Sequence, residues 1–171
     1  MDIVVNASPL ILLCKVGRVE LLRHLCRTVC VPEGVVAEIE AVSDDPACHT
    51  VSACAWLRRV TVAVPDGIKA WDLGRGESEV VAFALATTGF RPLLDDAEGK
   101  ACSLAFGLRP LGTGGLLIYA KRAGLLDSVG EVLDAMRARG LWISDSVVHA
   151  ILQQAGEGKA IDGAAPKPPA L

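Results

Sequence analysis

Residues 77–96 read ESEVVAFALATTGFRPLLDD, and this stretch decides the fold class. Acidic residues in the first turn and a dense apolar run after them predict a helix over residues 77–88. Gly89 ends this helix, and residues 92–94 form a short apolar strand that runs into Asp95 and Asp96. A helix that leads into a buried strand is the repeating unit of an α/β domain.

The same alternation of strands and helices continues on both sides of this stretch. Further strands are predicted over residues 3–5, 28–31, 60–64 and 108–111. Further helices are predicted over residues 8–15, 19–26, 33–42, 49–58, 97–106, 116–123, 128–139 and 144–154, with Ser8 as the N-cap of the first. Residues 43–46 and 65–67 are predicted turns, and residues 74–76 a loop. This order predicts an α/β fold with a central parallel sheet covered by helices on both faces.

Composition places the chain among ordinary globular domains and excludes disordered and collagen-like chains. It has 171 residues, of which 51% are hydrophobic, and a formal net charge of −3. We expect one domain over residues 1–154 and a flexible C-terminal tail over residues 155–171, which are rich in Gly, Ala, Pro and Lys. The apolar runs are shorter than the ~20 residues that span a bilayer, and no export signal is recognisable. We therefore expect a cytoplasmic protein with no membrane association.

Acidic and amide side chains follow the predicted strands. Ligands of an open parallel sheet bind at the carboxyl ends of its strands, so these side chains are expected to converge at one edge. They are Asn6 after the first strand, Glu38 in the helix after the second, Glu77 and Glu79 in the helix after the third, and Asp95 and Asp96 after the fourth.

A convergence of carboxylates points to divalent cations. Clustered carboxylates repel one another unless cations neutralise them, and sites rich in oxygen suit Mg²⁺ or Mn²⁺. The chemistry implied is metal-assisted hydrolysis of phosphodiester bonds. The negative net charge is compatible with this, because a bound metal ion recruits phosphate without an excess of Lys and Arg. From spacing alone, ordinary helix caps and solvated acids explain the same residues equally well.

Other residues allow different interpretations. His24, Cys26, Cys30, Cys48, His49 and Cys54 could form a zinc site, but they lack the Cys-x2-Cys pairing of common zinc modules, so we favour reduced thiols. Trp56, Trp71 and Trp142 could stack bases, although scattered tryptophans are more often packing residues. The basic residues that could contact an RNA backbone or lie on solvated helix faces are Arg18, Arg23, Arg27, Arg58, Arg59, Lys121 and Arg122.

Five stretches occur together in a recognisable order: VVNASPL at 4–10, VPEGVVAEI at 31–39, GESEVVAFA at 76–84, LDDA at 94–97 and GTGGLL at 112–117. With this set the sequence resembles the PIN-domain family, specifically the DUF3368-type branch related to VapC toxins, over about residues 2–154. The resemblance implies a compact three-layer PIN-like fold and a ribonuclease that depends on Mg²⁺ or Mn²⁺. It also implies an RNA substrate, single-stranded or structured, a homodimer, and a role as the toxin of a type II toxin–antitoxin pair, silenced by a cognate antitoxin protein.

The resemblance implies site residues as well. Catalysis is expected of Glu38, Glu77 and Asp96, metal binding of Asn6, Glu38, Glu77, Asp95 and Asp96, and supporting roles of Ser8 and Glu79.

Asn6 departs from the family pattern, because it stands where the first metal-binding aspartate is expected. An amide keeps an oxygen ligand but loses a negative charge, so metal affinity should fall. The second hypothesis is therefore a catalytically weak or inactive PIN-like protein that works by binding nucleic acid or a protein partner. The apolar helices predicted near residues 19–25 and 116–123 could offer the groove for such a partner.

Overall fold

Four parallel strands form the central sheet. The structure, a computed structural model, describes residues 1–41 and 46–158. In these residues the strands are β1 (Asp2–Val5), β2 (Thr28–Pro32), β3 (Leu57–Val60) and β4 (Phe90–Leu93). They lie in the order β3-β2-β1-β4, and each neighbouring pair is parallel.

Ten helices connect and cover the strands in the described part of the chain. They are α1 (Ala7–Lys15), α2 (Glu20–Leu25), α3 (Glu33–Glu40), α4 (Pro46–Ala53), α5 (Asp66–Lys69), α6 (Arg75–Ala86), α7 (Ala97–Ala105), α8 (Thr113–Arg122), α9 (Val129–Ala138) and α10 (Asp145–Gln154). None of these helices is long and apolar enough to cross a bilayer.

β1 is one of the two interior strands of the sheet, with β2 on one side and β4 on the other. Its residues Ile3, Val4 and Val5 are fully buried, as expected for a parallel sheet with both faces covered. Leucine and valine side chains from the surrounding helices complete the same apolar cluster. The prediction of an α/β fold with a central parallel sheet flanked by helices is confirmed.

The segment between residues 46 and 64 departs from the prediction. The helix expected over residues 49–58 ends at Ala53, and the strand expected over residues 60–64 ends at Val60. The pairing of β3 with β2, from Leu57 opposite Val29 onward, is a contact between distant residues that local pattern does not show. β3 is an edge strand, so the exposed Arg58 and Arg59 are tolerated in it. Of the turn predicted over residues 43–46, residues 43–45 lie outside the described residues.

Three shorter segments also differ. The strand predicted over residues 108–111 is reduced to one bridge between Leu93 and Leu111, next to Pro110, which has no N–H to continue a ladder. The predicted loop at residues 74–76 is the start of α6, with Gly74 as its N-cap. The predicted turn at residues 65–67 begins the short helix α5, whose first turn carries Asp66 next to the helix N-terminus.

α1 begins earlier than predicted, and this places Asn6 at the sheet edge. Asn6, rather than Ser8, is the N-cap, and Ser8 and Pro9 lie in the first turn, where the missing N–H of proline costs nothing. The backbone N–H of Asn6 donates to the carbonyl oxygen of Leu93 at 2.9 Å. The residue after β1 thus lies beside the end of β4, at the edge where parallel sheets bind ligands.

The chain beyond α10 is bound to the start of α9 through Glu157. This carboxylate accepts hydrogen bonds from Lys121 Nζ at 2.6 Å and from the backbone N–H groups of Val129 and Gly130 at 2.6 and 2.9 Å. Burial opposes its ionisation, but these hydrogen bonds outweigh burial and lower the pKa of Glu157 to about 2. Residues 155–158, predicted to begin a flexible tail, therefore include a bound side chain; residues 159–171 lie outside the described residues.

We expect Glu157→Gln to lower the free energy of unfolding by about 1–2 kcal/mol at pH 7, because the variant loses the charge that strengthens these hydrogen bonds. A carboxylate with a lowered pKa stabilises the fold above its ordinary pKa of 4.5, and this contribution disappears as the pH falls towards 2. Urea unfolding at pH 7 and at pH 3 would measure the difference. A chain ending at Gln154 should lose similar stability and one ending at Gly158 should not; equal stability of both would contradict the prediction.

Candidate active site

Two carboxylates join α3 to α6 reciprocally, an arrangement we call the α3–α6 contact. Glu38 of α3 accepts a hydrogen bond from Gly76 N–H at 2.9 Å, and Glu79 of α6 accepts one from Gly34 N–H at 2.6 Å. Both donors lie in the first turn of a helix, where N–H groups have no partner within the helix. A Cβ at Gly76 would lie 2.7 Å from Glu38 Oε1, and one at Gly34 would lie 2.9 Å from the Glu79 carboxyl group. A side chain at either position would have to push the glutamate carboxylate away from its hydrogen bond, so glycine at both positions preserves the contact.

A cleft of about 640 Å³ opens beside this contact, at the carboxyl edge of β1 and β4; we call it the acid cleft. The sequence-predicted residues that line it are Asn6, Ser8, Glu38, Glu77 and Asp95. They come from elements far apart in the chain. The structure thus brings most of the predicted set to one surface.

Asn6 and Glu77 contact each other in the acid cleft. Asn6 Nδ2 donates to Glu77 Oε1 at 3.2 Å. Asn6 is 5% exposed, and its Oδ1 is buried with no hydrogen-bond partner. Asparagine is among the best N-cap residues, yet this side chain makes no capping bond to α1. A buried polar atom without a partner costs about 1–3 kcal/mol, so a cation bound to this oxygen would recover free energy.

Glu77 is a half-buried carboxylate among like charges. Burial raises its pKa, the charges of Asp96 and Glu38 raise it further, and the hydrogen bond from Asn6 opposes them. The ionised form of Glu77 is therefore less stable than that of an ordinary glutamate. A divalent cation would relieve both causes, since it replaces lost hydration and neutralises the neighbouring charges.

Asp95 and Asp96 have different surroundings. Asp95 accepts from Thr113 N–H at 2.8 Å and from Thr113 Oγ1 at 2.5 Å, which fixes its carboxylate at the wall of the acid cleft. Asp96 caps α7, because its Oδ2 accepts from the N–H groups of Glu98 and Gly99 at 2.7 and 3.0 Å. Asp96 lines a neighbouring depression instead of the acid cleft, but its negative charge still raises the pKa of Glu77.

Glu79 lies outside the acid cleft. Its side chain is 10% exposed, and its carboxylate is occupied by the α3–α6 contact and by an ion pair with Arg75 Nε at 2.8 Å. The family resemblance favours Glu77 over Glu79 for this position, although both lie in the first two turns of α6. Side-chain contacts separate them: Glu77 meets Asn6, and Glu79 holds two helices together.

The carboxylates border the acid cleft without converging on one point. Within residues 1–41 and 46–158, no group of three or more His, Cys, Asp or Glu side chains is placed to hold a metal ion. This spacing agrees with the mutual repulsion of carboxylates. The fit of the residues to a divalent cation rests instead on Asn6 Oδ1, a buried oxygen that hydrogen bonding leaves unused, and on the adjacent Glu77.

Sequence reasoning missed part of the acid cleft. Lys15 and Arg139 also line it and were not singled out, and Trp142 was weighed only as one of three scattered tryptophans. Arg139 Nη1 donates to the carbonyl oxygen of Lys15 at 2.9 Å, which ties the end of α9 to the end of α1. This contact joins residues 124 positions apart, a separation across which no local pattern carries a signal.

The residues considered for other functions have mostly structural surroundings. Cys26, Cys30 and Cys102 are buried free thiols, and burial raises the pKa of Cys26 to about 11. Several of the basic residues pair with acids: Arg23 with Glu20, Arg27 with Asp2, Arg59 with Glu40, and Lys121 with Glu157. Pairs of this kind favour solvated or structural roles for these cations.

A parallel α/β domain with acids at the carboxyl edge of its sheet has the general arrangement of a metal-dependent hydrolase. A family model described as a PIN domain, DUF3368, matches residues 2–157. The chain therefore belongs to the DUF3368 family of PIN domains, which confirms the resemblance. PIN domains are generally nucleases, and these nucleases generally use divalent metal ions. We found no curated protein and no solved structure that matches the chain significantly.

The two glutamates of α6 are expected to affect stability in opposite directions. In EDTA at pH 7, Glu77→Gln should raise the Tm, because it removes a partly desolvated charge beside other acids. Solvent screens part of this penalty at a half-buried side chain, so the rise should not exceed about 2–4 °C.

Glu79→Ala should lower the free energy of unfolding by about 1–3 kcal/mol, because it leaves the N–H of Gly34 unsatisfied. Differential scanning calorimetry measures the stability of both variants. A fall in Tm for Glu77→Gln would show that neighbouring groups stabilise the charge of Glu77, which would contradict the prediction.

Proposed function

We propose that this chain is a divalent-metal-dependent endoribonuclease that hydrolyses phosphodiester bonds of RNA. The observation that carries the proposal is the Asn6–Glu77 pair, in which a buried oxygen without a partner lies beside a partly desolvated carboxylate. Glu38 and Asp95 border the same cleft from two further elements. Membership of the PIN-domain family supports the proposal, because PIN domains are generally nucleases.

Asn6, Glu38, Glu77 and Asp95 would hold Mg²⁺ or Mn²⁺, with Asp96 as a further carboxylate nearby. Carboxylate and amide oxygens are the ligands that these hard cations prefer. When bound, such an ion supplies a water of lowered pKa and positive charge for the phosphate and for the leaving oxygen. We assign the catalytic roles to Glu38, Glu77 and Asp96, as the family resemblance implies.

The remaining contacts of the site orient these groups. Thr113 holds Asp95 through two hydrogen bonds, and Gly76 N–H holds Glu38, so both carboxylates keep fixed positions at the cleft wall. Lys15 and Arg139 add positive charge to a cleft that is otherwise acidic. Cations at that position attract the phosphate backbone and reduce its repulsion by the carboxylates.

We extend the proposal to the biological role. The expected substrate is single-stranded or structured RNA, the expected role is the toxin of a type II toxin–antitoxin pair in the cytoplasm, and the expected partners are a cognate antitoxin and a second copy of the chain. The partner groove expected on the helices near residues 19–25 and 116–123 stays part of the proposal. Leu21 and Leu22 of α2 and Leu116 and Leu117 of α8 are buried in the core of the chain itself, so such a groove would use other residues of these helices, such as Leu25 and Tyr119, which line one depression.

A second candidate function is binding without cleavage. The observation that favours it is Asn6, since an amide supplies less charge to a cation than the expected aspartate. In that case the acid cleft would bind RNA or a protein partner without hydrolysis. Metal affinity and cleavage measured on the same sample separate the two functions.

Isothermal titration of Mn²⁺ into the full chain should show saturable binding, and the same sample should cleave single-stranded RNA internally. Glu77→Gln should weaken Mn²⁺ binding at least about 10- to 100-fold and reduce cleavage in parallel, because even residues outside the immediate ligand shell have effects of that size. Glu20→Gln is the matched control, as it removes an exposed glutamate remote from the cleft. Mn²⁺ binding without cleavage would favour the second candidate, and neither in the unaltered chain would overturn the proposal.

Asn6→Asp should lower the thermal stability of the metal-free chain and raise its affinity for metal. Without metal, the new carboxylate would face Glu77 Oε1 at the position where Asn6 Nδ2 now donates at 3.2 Å, so the Tm in EDTA should fall. With Mn²⁺, the added charge should tighten binding about tenfold and increase cleavage. Thermal unfolding with and without Mn²⁺ measures both effects. If Asn6→Asp left both metal affinity and cleavage unchanged, Asn6 would not be a metal ligand.

A further inference from the structure

Trp142 is the exposed aromatic residue of the acid cleft. Its side chain is 91% exposed, whereas Trp71 is 38% exposed and Trp56 packs partly buried against the core. An indole that is almost entirely exposed adds little to the stability of its own fold, because hydrophobic stabilisation scales with the apolar area removed from water. Scattered tryptophans usually pack against the rest of the protein, and a packing role does not explain the exposure of Trp142.

The backbone on both sides of Trp142 is held in place. Before it, Arg139 is bound to the carbonyl oxygen of Lys15, and Leu141 N–H donates to the carbonyl oxygen of Met136 at 3.0 Å. After it, Arg137 Nη2 donates to the carbonyl oxygen of Ile143 at 2.9 Å. A fixed backbone presents the exposed ring at a defined position, which lowers the entropy cost when a ligand binds to the ring.

Trp142 also stands between two depressions. It lines the acid cleft of about 640 Å³ together with Asn6 and Glu77, and it lines the neighbouring depression of about 710 Å³ together with Asp96. Asp95 is common to both. A chain that passed from one depression into the other would have Asp95 and Trp142, which line both, along its path.

We infer that Trp142 is a base-stacking residue that seats one nucleobase of a single RNA strand beside the acid cleft. The inference rests on the proposed function and names the contact that positions its substrate. Every base has a face that can stack on an indole, so this contact orients the strand without reading its sequence. Lys15 and Arg139 line the same cleft and carry the charge that the neighbouring phosphates require. This joint placement of one exposed ring, two cations and the carboxylates favours a nucleic acid over a protein surface.

The test uses binding without cleavage. In the double variant Trp56→Phe/Trp71→Phe, Trp142 is the only tryptophan left of three, so its fluorescence reports contacts of that ring alone. Titration with an eight-nucleotide oligoadenylate in EDTA should quench this fluorescence to saturation. In the chain with its other tryptophans intact, Trp142→Ala should weaken binding of the labelled oligonucleotide about 5- to 100-fold, and Trp142→Phe should retain most of the affinity. Trp71→Ala, which removes a tryptophan not found in the cleft lining, is the matched control.

The outcomes separate this inference from the proposed function. If Glu77→Gln abolishes cleavage while Trp142→Ala binds and cleaves RNA as the unaltered chain does, the proposed function holds and the inference is wrong. If the ring is quenched and Trp142→Ala weakens RNA binding but no RNA is cleaved with Mn²⁺, the stacking role holds and the ribonuclease proposal fails. If Trp142→Ala changes the mass in light scattering and leaves RNA affinity unaltered, the ring is a contact between copies of the chain, which also overturns the inference.

Discussion

The reciprocal contact between α3 and α6 is the interaction on which the candidate site depends. Each helix supplies one carboxylate that accepts a hydrogen bond from the first turn of the other, and both donors are glycines, which leave the carboxylates room to approach. The contact fixes the start of α6 next to α3. Glu77 lies in that first turn, so the same contact sets how close Glu77 comes to Glu38 and to Asn6 at the end of β1.

The site combines features that weaken the fold and would strengthen cation binding. Asn6 Oδ1 is buried without a partner, and Glu77 is partly desolvated near the charges of Asp96 and Glu38. Perturbed carboxylates and unsatisfied buried polar atoms cluster at functional sites, so their occurrence together in one cleft supports the proposed function. The amide of Asn6 avoids electrostatic repulsion between the two side chains. It donates a hydrogen bond to Glu77, whereas an aspartate at this position would repel the Glu77 carboxylate.

Much of this arrangement could be predicted from sequence, and the exceptions that shape the candidate site share one cause. The strand that precedes Asp95 and the helix that carries Glu77 follow from local periodicity and turn residues, and the order of acids after strands follows from parallel topology. The pairing of β3 with β2, the contact of Glu79 with Gly34, and the place of Arg139 and Trp142 at the cleft all depend on contacts between distant residues. Local pattern carries no information about such contacts in a single sequence.

The account's central claim is that Asn6 and Glu77 together bind a divalent cation. The most direct test is to soak crystals of the full chain in Mn²⁺ and to locate the metal from its anomalous scattering. The account predicts one strong peak within coordination distance, about 2.0–2.4 Å, of Asn6 Oδ1 and of a Glu77 carboxylate oxygen. A peak coordinated only by other residues, or no peak at Mn²⁺ concentrations that support cleavage, would contradict it.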